Sequence, residues 1–395
     1  MSNAVPEGWQ VRSIGDLVTL QYGKSPKEVM AEDGQYPVIG TGGVTGYASS
    51  YLYDGCTTVI GRKGTINKPS YVEGKFWAID TTYFGTGYKE AEPKWFYYSL
   101  NSFDLSKYNE ASGVPSLGRD TLNAIPLLTP PLLEQQKIAA ILSSVDDLIG
   151  KTRAQIEKLK DLKTGMMQEL LTKGIGSGGV PHTEFKDSPV GRIPACWEVR
   201  KADDISDAVM VGVVIKPTQY YVDQGVPALR SANVRENGLT MDNLKYFSEE
   251  SNDLLHKSKL RKGDLLTVRT GYPGTTAVVT SEFEGCNCID VVITRPSAEM
   301  DSDFFCLWVN SDHGKGQVLK AQGGLAQQHF NVADMKNLLV PVPPIQEQRS
   351  IFRAVSSVVS KISFSEQKLA RLTNIKKALM QDLLTGKVRV SQMNG

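Results

Sequence analysis

Pro130-Pro131-Leu132-Leu133-Glu134-Gln135-Gln136 returns 213 residues later as Pro343-Pro344-Ile345-Gln346-Glu347-Gln348-Arg349. The match continues without a gap to Leu170-Leu171-Thr172 against Leu383-Leu384-Thr385, and 16 of its 43 positions are identical. A repeat of that length means the chain is built twice on one plan. Each copy opens on a double proline, which is tolerated only in a first helical turn, and no proline follows inside it. Apolar residues then step by fours and threes: Ile138, Leu142, Val145, Ile149, Ile156, Leu159, Met166 and Leu170, then Ile351, Val355, Val358, Ile362, Leu369, Leu372, Leu379 and Leu383. This spacing predicts two long coiled-coil helices. Two seam positions are polar in both copies, Thr152 with Ser365 and Lys163 with Lys376, a device that fixes helix register.

A weaker match, offset by 188, aligns Pro6, Trp9, Val11, Arg12 and Asp16 with Pro194, Trp197, Val199, Arg200 and Asp204. The plan is therefore a globular module followed by a helix, with boundaries expected at 1–128 (first module), 129–175 (first helix), 176–192 (linker), 193–341 (second module) and 342–390 (second helix). A linker that short obliges the second module to start near the far end of the first helix. The second helix must then run back along the first. The expected fold is α/β (α+β): two globular modules separated by two long antiparallel coiled-coil helices, a tandem repeat with a pseudo-twofold axis. Within the modules, Thr57–Ile60, Phe76–Ile79, Leu265–Val268, Ala277–Thr280 and Ile289–Thr294 read as strands. Pro93–Leu100 and Asp303–Asn310 read as short helices.

Composition bounds the function. The chain has 395 residues, 44 Lys+Arg against 43 Asp+Glu, 41% apolar and 22% charged residues, which excludes a disordered chain. No apolar run approaches the ~18–20 residues of a membrane span, and the first residues do not read as a signal peptide. The five cysteines, an odd number, do not form a disulfide framework. A soluble, cytoplasmic protein is expected. By segment, residues 1–126 carry net −2, 127–184 zero, 185–340 −3 and 341–395 +6. A solitary non-specific nucleic-acid binder would show a basic excess over its globular parts.

Catalytic signatures are weak. Cys286-Asn287-Cys288 has the wrong spacing for zinc and no second pair. Gly23-Lys24-Ser25 has only the tail of a phosphate loop. The double prolines lack the amide and the aromatic residue of an adenine-methylating loop. Asp54 with Glu73-Gly74-Lys75 follows the short Asp…Glu-x-Lys pattern that can hold Mg²⁺ in a nuclease, and reads equally as solvated loop.

Recognition remains. Arg62 and Arg269 occupy matching places, each just after an apolar strand and inside a Gly-containing loop shared with Lys63 and with Tyr272. Arginine bonds bidentately to guanine or phosphate, and flanking glycine permits close approach. The other reading of each arginine is a salt bridge that closes its loop. Lys24, Lys68, Arg119, Lys216, Arg230, Arg235 and Gln327-Gln328 are further DNA-binding candidates.

Two variable modules, each followed by a Pro-Pro-hydrophobic-x-Glu-Gln helix that ends in Met-Gln-x-Leu-Leu-Thr, resemble the specificity (S) subunits of Type I restriction–modification enzymes. The openings Pro6-Glu7-Gly8-Trp9 and Ile193-Pro194-Ala195-Cys196-Trp197 and the turn Lys262-Gly263-Asp264-Leu265-Leu266 are similar to that family too. The resemblance implies that each module is a target-recognition domain reading one half of a bipartite site in double-stranded DNA. It implies helices that space the modules and bind two modification (M) subunits, which carry S-adenosylmethionine and methylate adenine. Restriction (R) subunits using ATP and Mg can join them. No catalytic residue, cofactor or metal is implied for this chain. Two other readings stand beside it: a magnesium-dependent nuclease acting alone, and a DNA-independent coiled-coil adaptor.

Overall fold

The computed structural model describes residues 5–176, 180–321 and 329–390. The two repeated segments are helices Leu132–Lys173 (42 residues) and Ile345–Leu383 (39 residues). At ~1.5 Å per residue each is roughly 60 Å long. Contacts divide the chain into two units, residues 1–155 with 365–395, and residues 156–364.

In the first unit a four-stranded sheet runs in the order Thr19–Tyr22, Thr82–Thr86, Thr57–Gly61, Ser70–Val72, every pair antiparallel. A second sheet runs Gly43–Ala48, Tyr36–Gly40, Lys75–Ala78, Tyr53–Asp54, with the middle pair parallel. The second unit repeats the first sheet strand for strand and varies the second. One runs Ser206–Val211, Val291–Pro296, Leu265–Val268, Thr276–Val278. The other runs Tyr221–Val222, Lys245–Phe247, Val226–Leu229, Asn287–Cys288, its last pair parallel. The strand Val291–Pro296 starts at Val291 and not at Ile289, because Asp290 takes a left-handed φ of 52° that breaks the extended run. In both units the module's opening strand pairs with the strand just before the double proline (Gln10↔Thr129, Glu198↔Val342).

The Glu-Gln of each repeat fastens the helix to its module. Glu134 accepts hydrogen bonds from Trp9 Nε1 at 3.0 Å and from Arg389 Nε and Nη2, both at 2.9 Å. Glu347 accepts from Trp197 Nε1 at 3.1 Å, His182 Nε2 at 2.8 Å, and the backbone N–H groups of Ile175 and Gly176. Burial alone would raise both carboxyls. The bonds from Arg389 and Trp9, and from Gly176, His182 and Trp197, outweigh it and hold each below the ordinary glutamate value. The glutamines act on the main chain. Gln135 donates to Glu90 O and Pro130 O and accepts from Glu92 N, while Gln348 donates to Glu299 O and Pro343 O and accepts from Asp301 N.

Each module also holds the end of the other repeat's helix. Gly174 and Gly386, just past the helix ends, have φ of 69° and 70°. A Cβ at Gly174 would lie 2.4 Å from Glu347 Oε1 and 2.6 Å from the Trp197 ring, and one at Gly386 would lie 2.5 Å from Pro6. Only glycine fits both the close approach and the left-handed backbone. Ile138, Leu142 and Leu383 share one core with Trp9, Trp95 and Leu122. Leu171 and Ile351 share another with Trp197, Phe304 and Trp308. Full burial of one such leucine is worth about 1.5–3 kcal/mol. Within each unit the paired helix segments run antiparallel.

Two expectations change. The 176–192 segment expected as linker contains strand Phe185–Ser188 and enters the hairpin with Gly191–Pro194. Its His182 and Gly176 are structural, because Glu347 needs their N–H groups. The matching polar seam residues are also not equivalent. Thr152 and Ser365 are both buried, and Thr152 Oγ1 donates back to Leu148 O at 2.7 Å. Lys376 pairs with Asp146 at 2.7 Å. Lys163 has Val359 where Lys376 has that aspartate, and it forms no ion pair among the described residues.

Candidate nucleic-acid interface

In both modules several of the candidate residues lie just past strand ends. Gly23, after Thr19–Tyr22, donates to Thr82 O at 3.0 Å, and Lys24 donates its N–H to Ala78 O at 2.9 Å. Any side chain at Gly23 would strike Ile79 O, 2.0 Å from an ideal Cβ, so glycine is what lets Lys24 start its loop there. Arg62 follows Thr57–Gly61 and bonds through Nη1 to Asp80 O at 3.2 Å. Its guanidinium lies 5.3 Å from the Tyr22 ring centre, and that of Arg119 lies 5.0 Å from the same ring. Tyr22 is half exposed and rests on the buried Tyr83, 5.1 Å away. Burial, with Tyr22 alongside, pushes the Tyr83 hydroxyl up to about 12, so it stays protonated and donates to Leu117 O. The Leu117 N–H bond to Arg62 O and the Lys63–Ser116 bridge fix the Arg62 loop against the Arg119 segment. The result is a pair of guanidiniums, Arg62 and Arg119, at one aromatic ring, with Lys24 and Lys63 on the adjoining loop segments and, among the described residues, no carboxylate bonded to either guanidinium.

In the second module Lys216 lies in the loop after Ser206–Val211 and Arg230 follows Val226–Leu229. Arg269 follows Leu265–Val268 as Arg62 follows its strand, and Asp290 stands where Asp80 does, between the paired sheets. Here the partner is the carboxylate: Arg269 Nη1 bonds Asp290 Oδ1. Asp290 N donates to Val213 O, and Ile289 N donates to Leu229 O, which brings the 213–216 loop and Arg230 to the same edge. Arg230 Nη2 donates to Asn243 O at 2.6 Å. The Nε atoms of Arg230 and Arg269 are buried without a partner. Lys216 has a left-handed φ of 42° beside the exposed Ile215, and Tyr272 is 84% exposed.

Not every candidate joins these groups. Lys68 is exposed in the loop before Ser70–Val72 and makes no hydrogen bond or ion pair among the described residues. Arg235 belongs to the hairpin Val234–Arg235/Gly238–Leu239 and bonds the neighbouring Val234 O. Gln327 and Gln328 lie outside the described residues. Tyr22 and its pairing with Arg119 escaped sequence reading, because positions 22, 62 and 119 share no motif.

Among the described residues no group of three or more His, Cys, Asp or Glu is placed to hold a metal ion. Asp54 lies opposite Lys75 in a strand pair, Lys75 covers the Tyr51 ring, and Glu73 pairs with Lys94 at 3.6 Å. Cys286 and Cys288 are buried free thiols, each held above its usual value by burial. No described helix is long and apolar enough to cross a membrane.

Residues 6–160 and 194–374 match the family described as Type I restriction modification DNA specificity domain. The Type I restriction enzyme MjaVIII specificity subunit of Methanocaldococcus jannaschii is 28% identical over 423 aligned positions, covering 99% of this chain and 95% of that one. The Type I restriction enzyme EcoBI specificity subunit of Escherichia coli is 24% identical over 319, covering 75% of this chain and 65% of that one. Among solved structures, the S subunit of a type I restriction–modification system from M. genitalium superposes with a TM-score of 0.64 at 16% identity, covering 97% of this chain and 98% of that one. A chain from a study of assembly and conformational transition in the type I R-M system superposes at 0.56 and 15% identity, covering 98% and 100%. At these identities the structural matches bear on the fold alone.

Proposed function

The chain belongs to the Type I restriction modification DNA specificity domain family, and from that premise we propose that it is the non-catalytic, DNA-reading subunit of a Type I restriction–modification complex. Each module reads one half of a bipartite site in double-stranded DNA, and the long helices dock two M subunits. The M subunits bring S-adenosylmethionine and adenine methylation, and R subunits bring ATP-dependent cleavage. The observation that supports this best is the duplicated strand end: two modules that share the order of one four-stranded sheet each present an arginine after the same strand of it. The modules' slight negative charge fits a reader whose partners supply much of the phosphate contact. In the first module, Arg62, Lys63, Arg119 and Lys24 around Tyr22 form the reading edge. In the second, Arg269, Arg230, Lys216 and Tyr272 form it.

The test is to purify the chain, add M subunit and S-adenosylmethionine, and map methylated adenines. The expected result is no methyl transfer or cutting by the chain alone and methylation at one two-part sequence with M present. Methyl transfer or Mg²⁺-dependent cutting by the chain alone would overturn the assignment. So would methylation without sequence preference in the complex, which is what a DNA-independent adaptor predicts.

A further inference from the structure

The two repeats differ at one place in a way that leaves a vacancy in the second unit. In the first unit Tyr98, on helix Pro93–Asn101, donates its hydroxyl to Asp146 Oδ2 at 2.8 Å. Lys376 bonds the other oxygen of Asp146 at 2.7 Å, and its ammonium lies 5.4 Å from the centre of the Tyr98 ring. A phenol, a carboxylate and an ammonium thus close the junction between module and helices. The gapless helix repeat carries Lys376 to Lys163 and Asp146 to Val359. The helices Pro93–Asn101 and Ser302–Val309, capped by Glu92 and Asp301, carry Tyr98 to Leu307 and Tyr97 to Cys306. The lysine is kept, and the carboxylate and both phenols are lost.

What stands there instead is a cleft of about 740 Å³, bordered by Lys163, Leu307, Val359 and Cys306 with Met167 and Phe352. That volume is in the range of small-molecule sites. Lys163 is half-buried and has no hydrogen-bond or ion-pair partner among the described residues. Glu236 and Lys315 pair with each other, and His313 stacks on Trp308 with ring centres 5.5 Å apart. Burial, with Asp301 nearby, raises the carboxyl of Asp303 above its usual value. Asp312 lies on the rim with the hairpin residues 236–238.

We propose that this cleft binds an aromatic carboxylate, whose acid group pairs with Lys163 and whose ring occupies the space that Tyr98 fills in the first unit. The ligand chemistry is read from the other copy of the same plan: a carboxylate on the lysine ammonium with a phenol ring against it. The carboxylate pairing is a charge-assisted bond at a partly desolvated lysine, and the ring meets Leu307, Met167, Phe352 and Val359. Such a group can arrive as a free small acid or as adjacent acidic and aromatic side chains of a polypeptide. The cleft recognises the same atoms in either case.

The test uses the full chain and two probes, 4-hydroxyphenylacetate and the blocked dipeptide acetyl-Asp-Tyr-amide, titrated by calorimetry and by NMR. Saturable binding of at least one at millimolar concentration or below is expected, and the tighter probe identifies the source. Lys163→Met should weaken binding at least tenfold, as expected for a lost charge-assisted hydrogen bond. Val359→Asp should supply the missing carboxylate from within the chain and also weaken binding at least tenfold, while keeping or raising the melting temperature. Lys163 and Val359 are both half-buried on the helix surface, so neither change empties a core. Absence of saturable binding by either probe overturns the proposal, as does binding that both variants leave unchanged.

Discussion

Replacing Glu347 by glutamine changes one buried oxygen to an amide nitrogen and removes the charge, with almost no change in shape. The carboxylate receives four N–H groups, three on Oε1 (Ile175, Gly176, His182) and one on Oε2 (Trp197). An amide has a single acceptor oxygen. If that oxygen takes the Oε1 place, the NH₂ group faces the Trp197 N–H. If it takes the other, the NH₂ faces three donors. The first arrangement is the lesser cost. Three bonds drop from charge-assisted to neutral, about 1 kcal/mol each, and one buried donor is left unpaired at about 1–3 kcal/mol. The expected loss is about 4–6 kcal/mol, a large fraction of the roughly 5–15 kcal/mol that holds a folded domain. Urea unfolding followed by tryptophan fluorescence reads it directly, with the exposed Glu366→Gln as the control. A loss under about 1 kcal/mol for Glu347→Gln, no larger than the control, would show that the four bonds do not fasten helix to module and would refute the reasoning.

The two arginines should separate. Among the described residues the Arg62 guanidinium bonds a main-chain oxygen and faces the Tyr22 ring, with no charged partner, so Arg62→Ala should change the melting temperature little and weaken DNA binding by the complex. A base contact would cost ~1–3 kcal/mol at one half-site, whereas a phosphate contact would lower affinity evenly and flatten the salt dependence. Arg269→Ala removes the partner of Asp290 and should lower both stability and affinity at the other half-site, which thermal melts and half-site binding assays distinguish. Acid should loosen both units. Glu134 and Glu347 titrate below the ordinary glutamate value of 4.5 when folded, so their contribution is complete above that pH and lost as pH falls through the folded values. Urea midpoints measured downward from about pH 5 should fall, and Glu134→Gln with Glu347→Gln should flatten the decline.

The long helices were legible because a seam repeats every turn or two, and Ile138, Leu142, Ile351 and Val355 are all buried. The Pro-Pro…Glu-Gln motif was legible as a helix start but not as a fastening. Its partners Trp9, Arg389, Trp197 and His182 sit between 125 and 255 residues away, and nothing local marks them. Matching positions for Arg62 and Arg269 could be read from strand and glycine context. That Arg269 closes on a carboxylate and Arg62 on a carbonyl could not, because Asp80 and Asp290 both follow strands and only the backbone turn decides which group reaches. The strand order common to one sheet of each module was illegible for the same reason. Their strands share burial and hydrogen bonding, and little sequence.

Glu134 is joined to Arg389 across 255 residues of chain, and Arg389 Nη1 also donates to Glu7 O at 2.7 Å. During synthesis at about 5–20 residues per second, Glu134 waits roughly 13–50 seconds for that partner. Over the same interval Ile138 and Leu142 lack the covering contributed by Leu383 and Val390. The second unit, residues 156–364, is one continuous stretch and can close as soon as it leaves the ribosome. The first must keep an apolar surface in solution until the last segment arrives, and it is there that a nascent chain would need a chaperone. Duplication of one plan has thus produced two halves that fold on different clocks, the earlier-made one finishing last.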